Sequence, residues 1–104
     1  MKKHTKIYLE HFDYSISDFI PCECCGEKAV DIHHIIARGM GGDYKGIKDV
    51  IENLMALCRA CHVKYGDKKE FIEYLVEKHA KVIGVTFEKV LKIIKKLKNG
   101  GEHD

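Results

Sequence analysis

Two Cys-x-x-Cys pairs, Cys22/Cys25 and Cys58/Cys61, stand at either end of a stretch that also holds Asp31-Ile32-His33-His34, Asn53 and His62. Thiolates at this spacing can bite one Zn²⁺ from a tight turn, and two such pairs complete a tetrahedral shell. A chain of 104 residues has a core that is marginal by itself, so a metal staple would supply what the core lacks. Five cysteines is an odd number, and in a reducing compartment paired Cys-x-x-Cys is better explained by metal than by disulfides. His33, His34 and His62 are then left over beside a closed site, which suggests a second ion with an open position.

Formal net charge is only +2, too small to announce a nucleic-acid partner. Its distribution says more: Lys81, Lys89, Lys92, Lys95, Lys96 and Lys98 face the single acid Glu88. No window approaches the roughly 18 apolar residues of a membrane span, so no membrane role is expected. The start Met1-Lys2-Lys3-His4 leads into Ile7-Tyr8-Leu9-Glu10 rather than an uninterrupted apolar run, and a cytoplasmic location is the expectation.

Along the chain, residues 6–20 are apolar enough to pack but too irregular for a clear helix, and they read as a helix-and-turn cover stopped by Pro21. Cys22-Glu23-Cys24-Cys25-Gly26 follows as a knuckle, with Cys22 and Cys25 as ligands and Cys24 as a spare thiol, since adjacent cysteines point their sulfurs badly for one ion. Residues 29–36 read as a half-buried strand whose alternation places Asp31 and His33 on one face and His34 on the other. Residues 38–43, Arg-Gly-Met-Gly-Gly-Asp, read as a flexible loop. Leu54-Met55-Ala56-Leu57 is a second strand delivering Cys58, and a helix from Cys58 carries Cys61 and His62 until Gly66-Asp67 interrupts it. Asp67 with Glu70 has the form of a capping box for a helix over about 67–80, with Phe71, Ile72, Leu75, Val76 and His79 on one stripe. Thr86 caps a last helix over about 86–98 whose apolar face is Phe87, Val90, Leu91, Ile94 and Leu97.

The order Cys-x-x-Cys, strand with His-His, loop, Asn, strand, Cys-x-x-Cys-His resembles the HNH endonuclease family, in the subclass that adds a four-cysteine structural zinc. The resemblance runs from Cys22 to His62 and implies an α+β fold, a small zinc-stapled treble-clef-like ββα-metal domain, here with packing helices at the C-terminus and occupying 1–104 as one domain. It implies a structural Zn on Cys22, Cys25, Cys58 and Cys61, a catalytic divalent metal on His33 and His62, His34 as general base, and Asn53 in the place of the family's asparagine, which through side chain or backbone would orient the His34 ring. Asp31 is a candidate further ligand or a partner of a ligand. Many relatives carry another ligand about one helical turn beyond the helix histidine, where this chain has Gly66. That leaves two protein ligands, or three with Asp31, and Mg²⁺, Mn²⁺, Ni²⁺ and Zn²⁺ all open for the ion.

Phosphodiester hydrolysis independently asks for these groups: a base with a pKa near neutrality, and positive charge where the phosphate and the leaving 3′-oxygen gain negative charge. DNA is the expected substrate, with RNA left open, and Lys92, Lys95 and Lys96 are candidate phosphate contacts. So small a chain has little room for a specificity domain, so weak specificity or a targeting partner protein is expected. The alternative is a non-catalytic zinc module that binds nucleic acid or protein, which would have no need of His33, His34, Asn53 and His62 together. Cys58-Arg59-Ala60-Cys61-His62 also matches the haem c attachment pattern, but the other cysteine pair would go unexplained. Pro21-Cys22-Glu23-Cys24-Cys25 matches half of a zinc-deaminase signature whose His-x-Glu half is missing. Sequence alone leaves the substrate structure, the strand count of the cut and the oligomeric state open.

Overall fold

A computed structural model describes residues 1–37 and 46–99, so the glycine-rich loop expected at 38–43 and the C-terminal tail lie outside the described residues. Helix α1 (Lys3–Phe12) ends where Asp13 takes a left-handed conformation. Strands β1 (Asp31–His34) and β2 (Leu54–Leu57) pair antiparallel, and α2 (Arg59–Tyr65), α3 (Ile72–Ile83) and α4 (Phe87–Lys98) follow.

β2 is the centre of the molecule, with all four residues at 0% exposure. A strand with both faces buried needs no polar alternation, which is why Leu54-Met55-Ala56-Leu57 is uniformly apolar. Met55 and Leu57 join the larger core with Leu75, Val76, Ala80, Val90 and Ile94 from α3 and α4. Leu54 and Ala56 join a smaller cluster with Tyr8 of α1. The register sets Asp31 opposite Leu57 and His33 opposite Met55, so both share the larger-core face, while His34, opposite Leu54, lies on the α1 face. The alternation read from the sequence therefore holds, although β1 is limited to four residues.

The expected capping box does not form. Asp67 has φ +59°, a short 3-10 turn occupies Lys69–Phe71, and α3 begins at Ile72 without a side-chain cap. The stripe behind that expectation is real, since Leu75, Val76 and His79 are buried. α4 matches its expected limits: the Thr86 hydroxyl accepts from the Lys89 N–H, and Val90, Ile94 and Leu97 are buried.

His79, on the apolar stripe of α3, is fully buried and joins α3 to the cysteine knuckle and to the segment before β2. Its Nδ1 meets Glu23 Oε1 at 2.6 Å and its Nε2 meets the Ile51 carbonyl at 2.6 Å. The Tyr8 hydroxyl and the Ala56 N–H both donate to Glu23 Oε2. Glu23 sits inside the cysteine knuckle, so α1, β2 and α3 are all fastened to it. Removing one member of such a buried pair leaves the other without its partner, at a cost of about 3–5 kcal/mol.

Candidate metal centre and active site

The two cysteine pairs meet. Gly26 with φ +82° closes the knuckle, the Gly26 N–H donates to the Cys22 carbonyl, and Cys58 caps α2 with its sulfur accepting from the Cys61 N–H. The ligand sulfurs of Cys22, Cys25, Cys58 and Cys61 lie within 4.8 Å of one another, a set that fits one tetrahedral ion. Burial alone would push the Cys22 thiol up, but backbone N–H groups of Cys58, Cys25 and Cys24 outweigh it and bring it down to about 7. Cys24 stands outside the cluster. Burial, with the neighbouring Cys22 and Glu23, pushes its thiol up to about 12.

A second group forms where β1 faces α2. His33 and His62 meet edge to face with ring centroids 4.7 Å apart, and with Asp67 they bring three ligand atoms within 4.8 Å of one another. His33 is 4% exposed, and its Nε2 is a buried polar atom with no hydrogen-bond partner among the described residues. Leaving such an atom unpaired costs about 1–3 kcal/mol, which a bound cation would recover. Burial, reinforced by the charge of His62, lowers the His33 pKa to about 4, so the ring is neutral and its lone pair is available. His62 is aimed by Asp31, whose Oδ2 lies 2.8 Å from His62 Nδ1, and Arg59 holds the other oxygen of Asp31 at 3.3 Å. A carboxylate on one imidazole nitrogen fixes the ring and directs the other nitrogen at a metal.

Gly66 explains why the expected additional ligand is absent one turn beyond His62. A Cβ there would sit 2.5 Å from the His62 carbonyl, 2.6 Å from His62 Cδ2 and 3.3 Å from His33 Cε1. The backbone at Gly66 is ordinary, with φ −68°, so space alone requires glycine. The chain instead turns through the left-handed Asp67 and offers its carboxylate. Asp67, a helix cap by its sequence pattern, is thus the third group, and Asp31 stands behind His62.

His34 lies across the sheet. Its Nε2 is 2.7 Å from Asp49 Oδ1, and both side chains are largely buried, 11% and 5% exposed. A carboxylate accepts, so Nε2 carries the ring proton and Nδ1 keeps the basic lone pair. Asn53 does not touch the His34 ring. Its Oδ1 accepts from the Ile36 N–H, and its Nδ2 donates to the carbonyls of Ile36 and Lys48. Fully buried, Asn53 clamps the exit of β1, through Ile35 and Ile36, to the segment that presents Asp49. No local sequence pattern marks Asp49, which reaches His34 from fifteen positions away.

Lys92, Lys95 and Lys96 are exposed on α4. A cleft of ≈ 340 Å³ opens beside Asp67, floored by Ile35, Ile36 and Ile72 and rimmed by Lys68, Lys69 and Lys98. Lys68 is engaged in part, donating to the Val63 and Lys64 carbonyls at the end of α2.

A short antiparallel pair feeding a helix, with cysteines at its base and histidines from strand and helix converging, defines a small α+β domain of the ββα-metal kind. Residues 22–68 match the model of the HNH endonuclease family. It is also similar to the uncharacterized protein YdfU of Escherichia coli (strain K12), 36% identical over 76 residues, an overlap taking in 62% of this chain and 21% of YdfU. The chain therefore spans about a fifth of that relative's length. No solved structure matches. Among the described residues no helix is long and apolar enough to cross a membrane.

Proposed function

We propose that the chain is a metal-dependent endonuclease that hydrolyses phosphodiester bonds in DNA. The observation that carries this reading is His33 Nε2, buried and unpartnered, beside His62 and Asp67. A non-catalytic zinc module would have no reason to keep an unpaired imidazole nitrogen there.

Zn²⁺ on the four thiolates is the structural ion in this reading. A divalent ion on His33, His62 and Asp67 would supply Lewis-acid stabilisation of the charge growing on the phosphate and the leaving 3′-oxygen. Imidazole ligands favour Ni²⁺ or Zn²⁺, and the Asp67 carboxylate keeps Mn²⁺ and Mg²⁺ in the field. His34 Nδ1 takes the proton of the attacking water, while Asp49 holds the opposite N–H and stabilises the imidazolium that results. The water oxygen bonds to phosphorus as the bond to the 3′-oxygen breaks. β1 has a strand on one side only among the described residues. The two faces of the sheet meet along its open edge, where His33 and His34 can both approach one backbone.

Lys69 and Lys98 at the rim of the cleft, and Lys92, Lys95 and Lys96 on α4, are the groups assigned to phosphates flanking the cut. The test is a cleavage screen of duplex, nicked and branched DNA and of RNA against Mg²⁺, Mn²⁺, Ni²⁺ and Zn²⁺, with product ends mapped. Cleavage of DNA that stops on chelation is expected. No cleavage with any ion and substrate would overturn the proposal.

A further inference from the structure

A second constellation of ligand-type side chains gathers on the α1 face of the sheet, away from the His33 group. His4 of α1, His34 of β1 and Asp49 bring two ring nitrogens and a carboxylate oxygen within 4.8 Å of one another. The His4 and His34 rings lie with centroids 4.6 Å apart. His4 falls outside residues 22–68, so it is no part of the matched domain.

We propose that His4, His34 and Asp49 form a binding site for a transition-metal ion of the Zn²⁺ class, and that an ion held there switches the nuclease off. Two imidazoles and a carboxylate are a donor set that selects Zn²⁺, Ni²⁺ or Co²⁺ over Mg²⁺ and Ca²⁺. Ligand bonds of about 2.0–2.2 Å set ligand atoms about 3.3–3.5 Å apart, so the half-buried His4 ring must swing inward, and an ion entering through His34 Nε2 must part that nitrogen from Asp49 Oδ1, now 2.7 Å away. Asp49 is buried at 8% exposure, so its charge is poorly screened by water and draws a cation strongly.

The inhibitory consequence follows from the ring itself. A neutral imidazole has one proton and one lone pair. If the ion takes Nδ1, it occupies the lone pair that would accept the proton of the water. If it takes Nε2, the ring proton moves to Nδ1 and the lone pair there is gone. Either way His34 cannot act as base. This consequence rests on the role proposed for His34, whereas the binding site rests on geometry alone.

The experiment uses the full chain, its four-thiol site filled with Zn²⁺, in two forms. His62→Ala disables the His33 group, and His62→Ala combined with His4→Ala disables both; alanine is a good helix former, so α1 is preserved. Calorimetric titration with further Zn²⁺ should find one more bound equivalent in the first form and an affinity at least about tenfold lower in the second. Histidine-ring NMR signals of His4 and His34 in the His62→Ala chain should move together as that equivalent binds, which checks the site without altering any of its own residues. In cleavage assays at a fixed concentration of the activating ion, His4→Ala should raise the Zn²⁺ concentration that halves activity by a similar factor. Equal Zn²⁺ uptake by the two forms, or ring signals of His4 that stay still, would overturn the site. Neither readout uses cleavage, so a chain that cuts no substrate refutes the nuclease reading and leaves this result separately legible.

Discussion

The four-thiol cluster and the His33 group are built from opposite principles within one small domain. The cysteines provide four like ligands, two of them on a tight turn and two at a helix start, and they leave no position for anything else. The His33 group provides three unlike ligands, one of them the exposed Asp67, and its buried nitrogen has no protein partner among the described residues. A closed shell can only hold the fold. In the proposed reading an incomplete one keeps coordination positions for phosphate and water, at the cost of an unsatisfied group. On that reading stability and chemistry are separated by ligand number and placement, while α2 carries members of both groups, Cys61 and His62.

The sharpest way to break this comparison is to damage each site and see which property disappears. Cys58→Ser should unfold the chain or leave it insoluble, because structural zinc sites of this kind contribute about 10–16 kcal/mol of apparent binding energy to folding. Circular dichroism and metal analysis check this. His33→Ala should do the reverse, keeping the zinc and the fold while losing the catalytic ion, as competition with a chromogenic metal indicator would report. Asp31→Ala should weaken binding of that ion about 10–100-fold through the unanchored His62 ring, with the thermal midpoint almost unmoved. The smallest effect is expected from Lys92, Lys95 and Lys96 changed together to Gln. DNA affinity should fall alike for all sequences, and the log–log salt slope should flatten by about 0.9 for each duplex phosphate that no lysine then neutralises. An unchanged slope would return these lysines to a solvated helix face.

Much of this is legible in the sequence because it lies in local spacing. The cysteine pairs, the strand alternation that parts His33 from His34, and the apolar stripes of α3 and α4 each reside in a few neighbouring residues. What the sequence hides depends on distant positions coming together. Asp49 meets His34, and Glu23 meets His79, only after β1, β2 and α3 have packed. Asp67 misleads because Asp with Glu three residues on is a good cap pattern, and nothing local reveals that Gly66 must yield its space to two imidazoles. Asn53 stands out in the sequence as a partner for His34, but the groups it bonds are the backbone of Ile36 and Lys48 rather than the His34 ring.

That His34 is the base, and that the metal groups stand without it, is tested most directly by nicking of supercoiled plasmid, with the unmutated chain and His34→Ala brought to the same measured occupancy of both ions. The unmutated chain is expected to nick, and His34→Ala to be slower by about 10²–10⁴-fold at equal metal content. Cleavage by His34→Ala at the rate of the unmutated chain would contradict the assignment.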